Sequence, residues 1–468
     1  MARLLNVLVL LVVLLVCGCH SADPAAYWAE RDAFVKTERS MLLGGKQKLT
    51  PDEEQANAIL MTAKRSEYDR CYDQPCFPPS RHFFLAKPDI ENSEVFSIIK
   101  RMPKGAALHG HDTGMVSTEW VVSNITYRPN LYACNRPSQL QPPPPLNLDL
   151  LSTIFSAAAP TPSTCTGGSW TLASTLRTTY GDAAVDAWFS HHFSLYTDNP
   201  AEKYPDLNSV WAAFSTLFEV TGGMLFYTPV FHDYYTYDLD GTLTDTMGVA
   251  SMYHSASLAF EAAQPVGDWF GARFIYAPIR DVDNATADAY VTTMTELSLA
   301  FPDFMIGFDL VGQEDKGHPT SDFINQLLQM REQIPNLKFF FHAGETNWQD
   351  ITDMNLIDAI LLNTTRIGHG YAVTKHPLVL QMAKERGIAF EVNPISNQVL
   401  ELVEDLRNHP MATLLAGDYP VVVSCDDPSF WGTKGLSYDY YQMFMGMAGR
   451  DADLRFLKQL AINSIMYV

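Results

Sequence analysis

The chain has 468 residues, with 53 acidic side chains against 32 basic ones, a net charge of -21, and 47% hydrophobic residues. That length can bury a large core, either as one big barrel with additions or as two to three domains. So acidic a chain, with no basic run to offset it, repels phosphate backbones, which excludes nucleic acid as a main partner.

Met1-Ala2-Arg3, an apolar run from Leu4 to Val16 and small residues up to Ala22 predict a secretory signal peptide over residues 1–22. The apolar run is too short to span a bilayer comfortably, so no membrane anchor is expected. Val16-Cys17-Gly18-Cys19 also has the faint look of a lipoprotein cleavage site. Five cysteines follow the leader, Cys71, Cys76, Cys134, Cys165 and Cys425, which leaves room for two disulfides and a free thiol in an oxidising compartment. Sequons at Asn124, Asn284 and Asn363 fit glycosylation and a secreted, extracellular protein.

Charged, amphipathic sequence from about Ala25 to Tyr68 predicts helices in an N-terminal region spanning 23–101. Residues 102–126 then start the regular part of the chain. From Tyr127 to about Tyr180 the texture turns to Pro, Ser and Thr, including Pro142 to Pro145 and Pro160-Thr161-Pro162. This predicts a loop-rich insertion over 127–184, bracketed by Cys134 and Cys165 and stapled by a disulfide. Across 185–468, helical stretches alternate with short apolar runs, the pattern of parallel βα units.

Several of those runs end in polar residues: Ala106 to Leu108 before His109, Met305 to Phe308 before Asp309, Phe339 to Phe341 before His342, Ile367-Gly368 before His369, and Val421 to Val423 before Ser424-Cys425-Asp426-Asp427. In a (β/α)8 barrel the C-terminal strand ends converge on one mouth, so these groups are expected to meet there. His109-Gly110-His111 places two imidazoles on one face of an extended strand, where both can reach one metal. An HxH alone arises readily by chance, a lone loop Glu is usually solvated and a lone His usually packed. His342 and Asp426 at further strand ends complete a three-nitrogen, one-carboxylate set suited to zinc with an open position for water. Glu345, just past His342, can carry a proton beside that metal. Asp426 and Asp427 are adjacent carboxylates that point to different sides, one toward metal and one toward substrate. Cys425, with no activating His or Cys motif beside it, reads as a small buried residue.

The stretches MPKGAALHGHDTG, GFDLVGQEDKGH, FFFHAGETNWQ, LNTTRIGHGYAVTKHP, EVNPISNQVLELVEDLRNHP and SCDDPSFWGTKGLSYDYY, spanning about Met102 to Tyr441, resemble the adenosine deaminase family, and within it the secreted, growth-factor type. The resemblance implies a metal-dependent (β/α)8 hydrolase. One Zn2+ per chain would be bound by His109, His111, His342 and Asp426. Glu345 would protonate purine N1, His369 would orient and deprotonate the zinc-bound water, and Asp427 would hold N7. The Gly312 N–H would meet the ring, and Asp112 and Trp211 would lie near the ribose. Adenosine and 2'-deoxyadenosine are the implied substrates, and the N-terminal helices are similar to that type's dimerisation helices. The insertion, after NITYRP at Asn124 to Pro129, is similar to its extra domain, with Cys134 and Cys165 in the places of its disulfide and a cell-surface receptor or glycan as an implied partner. A cytidine-deaminase type of zinc site is excluded by the absence of a P-C-x-x-C element, and no phosphate-binding cluster favours AMP.

Two departures stand out. Between Tyr237 and Arg273 the family would place its second barrel strand and a loop bearing a ribose-contacting His, and neither is legible in a segment that is markedly short. The chain also stops at Val468 inside the apolar helical pattern Leu454 to Tyr467, where the resemblance implies further helix. The expectation is a barrel with one strand missing or altered, and an enzyme weakened accordingly. The alternative is a nucleoside-binding or receptor-binding signalling protein of the same fold with little catalysis.

Overall fold

The computed structural model describes residues 23–136, 146, 148–155, 159–224, 236–237 and 243–468. The leader at 1–22, its alternative cleavage site, Pro142 to Pro145 and the short stretch 238–242 lie outside the described residues.

The N-terminal region is helical, as its amphipathic texture predicts. Helix α1 (Pro24–Met41) has no buried residue and leaves Tyr27, Trp28, Phe34 and Met41 exposed. Helix α2 (Pro51–Asp73) starts at a capping box in which Thr50 and Glu53 satisfy each other's backbone N–H groups. Its buried face holds Lys64, whose Nζ donates to the Gly449 and Ala452 carbonyls at 3.0 and 2.9 Å, and Glu67, which accepts from Ser93 at 2.7 Å and from Tyr441. These bonds dock α2 on the C-terminal part of the chain. Cys71 and Cys76 form a disulfide at its end. Helices α3 (Phe83–Glu91) and α4 (Glu94–Arg101) lead into the barrel.

The insertion is an antiparallel sheet of β1 (Leu131–Asn135), β2 (Leu148–Phe155) and β3 (Ser169–Leu172), with β1 in the middle. Cys134 on β1 is bonded to Cys165, as expected. Its small core includes Val121, Ile125, Leu131, Leu176, Val185 and Phe189. This core contains helix α5 (Ala173–Tyr180) and reaches beyond 127–184 at both ends, to Val121 to Ile125 and along helix α6 (Asp182–His192).

Helices α7 (Leu207–Met224) and α8 (Thr246–Ala262) follow, with a short hairpin between them. The chain then alternates β4 (Phe274–Tyr276), α9 (Asn284–Ala300), β5 (Met305–Phe308), α10 (Ile324–Gln333), the extended pair β6 (Lys338–Phe339) and β7 (His342–Ala343), α11 (Asn355–Leu361), β8 (Arg366–His369), α12 (Pro377–Arg386), β9 (Ala389–Val392) and β10 (Val421–Val423). All pairings among these strands are parallel, in the orders β4-β5-β6 and β7-β8-β9-β10. The two arcs join through residues 338–343, because Phe340 N–H donates to Phe308 and Gly368 N–H to Phe341. Residues 106–111 continue the ring beyond β10 by a parallel bridge between Gly110 and Asp426. Strands covered on both faces read as unbroken apolar runs, and Phe339, Phe340 and Phe341 are all buried. Each such side chain stabilises the fold by about 1.5–3 kcal/mol.

This is a barrel of the (β/α)8 type. Among the described residues no strand fills the position between residues 106–111 and β4. A cavity of about 180 Å³ stands there, lined by Ala107 to Asp112 on one side and Arg273 to Ile275 on the other, and reaching inward to Phe340 and Glu391. No helix among the described residues is long and apolar enough to cross a membrane.

Candidate metal centre and active site

The expected meeting of strand ends takes place. Ligand atoms of His109, His342, His369 and Asp426 all lie within 4.8 Å of one another, and all four residues are buried. His369 closes β8 and Asp426 follows β10; both have positive φ, 58° and 56°. Such backbone is unfavourable for a non-glycine residue by about 1–3 kcal/mol and collects at functional sites.

Two of the histidines are oriented by carboxylates from neighbouring strands. His109 Nδ1 is 2.8 Å from Glu391 on β9, and His342 Nδ1 is 2.6 Å from Asp309, which follows β5. Asp309 also accepts from the His342 backbone N–H at 2.8 Å. Each carboxylate takes the Nδ1 side and leaves Nε2 directed at the cluster, the arrangement that metal-binding imidazoles use. His109 Nε2 and Asp426 Oδ1 are 3.3 Å apart, buried, and without a hydrogen-bond partner. Two orphaned ligand atoms in a nitrogen-and-carboxylate set fit a divalent cation such as zinc. His111 stands beside this group rather than within it: its Nδ1 is 3.0 Å from Asp426 and 2.9 Å from Asp427.

Electrostatics follow from burial. Burial pulls the His109 ring down, but Asp426 and Glu391 outweigh it and raise its pKa to about 9. Asp426 is held well below the usual carboxylate range because the neighbouring His109 and His111 rings outweigh its burial. Burial, with Asp426 and Glu314 nearby, pushes Glu345 well above the usual range. Asp427 is pushed up to about 7, chiefly by burial.

The cluster forms the floor of a cleft. Trp211, Phe214 and Phe218 recur at helical spacing along one face of α7 and form one wall, while Ile279, Val311 and Leu400 form another. Glu345 and Gly312 also line it. Gly312 has φ of 101°, open to glycine, and a Cβ there would come within 3.1 Å of Ile279. Asp427 is fully buried against His111 and is not among the lining residues, and Asp112 faces the adjoining cavity, where its Oδ2 accepts from Tyr253 at 3.0 Å.

Several supporting residues carry no role in the sequence reading. Glu314 accepts from the Gly344 and Glu345 N–H groups at 3.1 and 2.8 Å and from Asn355 at 2.7 Å, and so holds the loop that presents Glu345. Buried Arg280 lies 3.9 Å from it and donates to the Leu310 and His342 carbonyls. Arg366 pairs with Glu391 behind His109. A charged residue inside an otherwise apolar strand, as in Ala389-Phe390-Glu391-Val392, is the signal that marks such a position. Cys425 is free and buried, as read, and Asn124, Asn284 and Asn363 are all exposed.

A parallel barrel with histidines and carboxylates gathered at one mouth defines the class of metal-dependent barrel hydrolases. Comparison with known sequences narrows this. A family description of the adenosine deaminase domain matches residues 257–467, and one of the adenosine/AMP deaminase N-terminal region matches 7–99. The chain is 43% identical to an adenosine deaminase of Lutzomyia longipalpis over 94% of this chain and 88% of that protein. It is 42% identical to adenosine deaminase 2 of Pongo abelii and 41% identical to adenosine deaminase 2 of Homo sapiens, each over 93% of this chain and 88% of the relative. The chain belongs to the adenosine deaminase family.

Proposed function

We propose that this protein hydrolyses adenosine to inosine and ammonia, and 2'-deoxyadenosine to deoxyinosine, outside the cell. The carrying observation is the buried group of His109, His342, His369 and Asp426 on the floor of an apolar cleft that Glu345 also lines. We assign one Zn2+ to His109, His111, His342 and Asp426. When bound, the ion supplies Lewis-acid activation of water for addition at purine C6. Glu345, whose carboxyl burial pushes well above the usual range, donates to N1. His369 faces the reacting water, and the Gly312 N–H meets the ring edge. Asp427 is assigned to N7, and Asp112 and Trp211 to the ribose side. Flat apolar walls suit a purine, and no Lys or Arg is among the described residues lining the cleft, which disfavours a phosphorylated substrate.

Export with glycans on Asn124, Asn284 and Asn363 is supported by their exposure and by two disulfides. A homodimer through the N-terminal helices is supported by the uncovered aromatic residues of α1. The insertion is the candidate surface for a receptor or glycan. The cavity beside residues 106–111 favours a second reading, a weak catalyst that serves mainly in signalling. The test is loss of adenosine absorbance by the purified protein. Turnover that a chelator abolishes and zinc restores is expected, and turnover that survives complete metal removal would refute the assignment.

A further inference from the structure

The gap in the barrel lets a helix side chain reach the mouth. Helix α8 buries Thr246, Val249 and Ala250, and Tyr253 stands four and three residues beyond the last two, on the same face. In a closed (β/α)8 barrel the helices form an outer ring, so a strand would separate such a residue from residues 106–112. Here the Tyr253 hydroxyl donates to Asp112 Oδ2 at 3.0 Å, and the Tyr253 ring stacks on Phe274 of β4 with centroids 5.1 Å apart. Asp112 Oδ1 accepts from the Thr113 N–H at 2.9 Å. One oxygen is thus held by the chain beside it and the other from across the gap, which fixes the plane of the carboxyl group. Asp112 stays half-buried, and each of its oxygens keeps a second lone pair for a further donor. The cavity that Asp112 lines shares His111, Phe218, Val311 and His342 with the cleft, so the two spaces meet beside the His and Asp group.

We propose that Tyr253 is a positioning residue for substrate binding, whose hydroxyl sets Asp112 to accept a hydrogen bond from a sugar hydroxyl of the nucleoside. A nucleoside with its base on the cleft floor can turn its pentose toward this junction. Without the phenol, the carboxyl group has to be ordered at the moment of binding, which weakens affinity without touching the reacting atoms. The helix that flanks the gap therefore reads the sugar and leaves the base to the cleft. The inference rests on the reading of the cleft as a nucleoside site with Asp112 on its sugar side.

The test uses the full chain supplied with zinc, and inosine, the product, whose binding is read by equilibrium dialysis without turnover. Tyr253→Phe keeps the ring and its stack on Phe274 and removes only the donor. It should weaken inosine binding by about 5–10-fold and raise KM for adenosine alike, with kcat within about 2-fold. Inosine analogues lacking one sugar hydroxyl each locate the contact, and for one of them the wild type and Tyr253→Phe should bind equally. In an Asp112→Ala background, Tyr253→Phe should have no further effect. Unchanged or tighter inosine binding by Tyr253→Phe overturns the proposal, tighter binding meaning that the phenol occupies the place of the sugar. A loss of the same size for every analogue also overturns it, since that marks a general loosening of the flank. The expected binding pattern in a chain that deaminates no adenosine would instead count against the hydrolase reading alone.

Discussion

Glu391→Gln separates what holds the barrel from what arms the metal site. Glu391 is 2% exposed and serves two partners, His109 Nδ1 at 2.8 Å and the Arg366 guanidinium. Glutamine preserves the shape and one acceptor but removes the charge. Arg366, equally buried, keeps its bonds to the Tyr467 and Leu108 carbonyls and its stacking on Phe340, 4.2 Å away, yet loses its counter-charge. Removing one partner of a buried pair costs about 3–5 kcal/mol, and the retained contacts argue for the lower end. On the metal side, loss of a carboxylate that orients a ligand histidine weakens binding about 10–100-fold, or about 1.4–2.8 kcal/mol. Urea denaturation of the metal-free chain reads the first effect, and competition for zinc against a chelator reads the second. The pH dependence has a definite sign. Burial pushes Glu391 up, but Arg366 and His109 outweigh it and hold it below 4.5 in the folded chain. Its contribution is therefore complete above about pH 4.5 and lost as pH falls through the folded value, so the deficit of Glu391→Gln should be full at pH 7 and narrow in acid. A variant that matches wild type in both measurements at pH 7 would refute the coupling of Arg366, Glu391 and His109.

Three further outcomes are expected. His109→Ala and Asp426→Ala should each lose zinc by metal analysis, and full occupancy in both would refute the ligand set. Glu345→Gln should retain fold and zinc while turnover falls by ~10²-fold or more, the scale of a lost positioned acid; turnover within 3-fold of wild type would mean another group supplies the proton. A chain carrying a family-like strand between Tyr237 and Arg273 should be secreted in higher yield and deaminate faster than the present one, and equality of the two would show that the short segment is no handicap.

The site was legible where chemistry coincides with a strand end. His109, His342, His369 and Asp426 each terminate or follow an apolar run, and an unbroken apolar run ending in a polar residue marks a barrel mouth without any tertiary information. The supporting residues were illegible for the opposite reason. Glu314 lies within a loop, so nothing local distinguishes it from a solvated residue, whereas Glu391 is marked only by its charge inside an apolar strand. Their roles come from pairings such as Glu391 with His109, 282 positions apart. Asp427 illustrates the limit of local reasoning: adjacent carboxylates are expected to point to different sides, yet Asp426 and Asp427 both reach His111 Nδ1, at 3.0 and 2.9 Å, and packing keeps Asp427 away from the cleft wall. The insertion was legible in composition and not in extent, because Val121 to Ile125 and Val185 to Phe189 carry ordinary helical patterns whose apolar faces happen to turn toward it.

The gap in the barrel bears unequally on this site. His342, His369 and Asp426 belong to the arc β7-β8-β9-β10, in which neighbouring strands pair in parallel register. His109 and His111 lie on residues 106–111, tied to the ring by the bridge of Gly110 to Asp426 and by the Arg366 bond to Leu108, with the 180 Å³ cavity on their other flank. Among the described residues no strand pairs with 106–111 on that flank, where His111 packs on Phe218, ring centroids 5.7 Å apart, and Asp112 accepts from Tyr253. The zinc site we propose should tolerate this, since a bound cation itself draws its ligands together. Catalysis tolerates it less, because productive geometry must be kept within about 0.5 Å by the surrounding shell. A strand restored beside residues 106–111 should therefore raise kcat more than it raises zinc affinity, and the ratio of those two gains measures how far the open flank, rather than the ligand set, limits this enzyme.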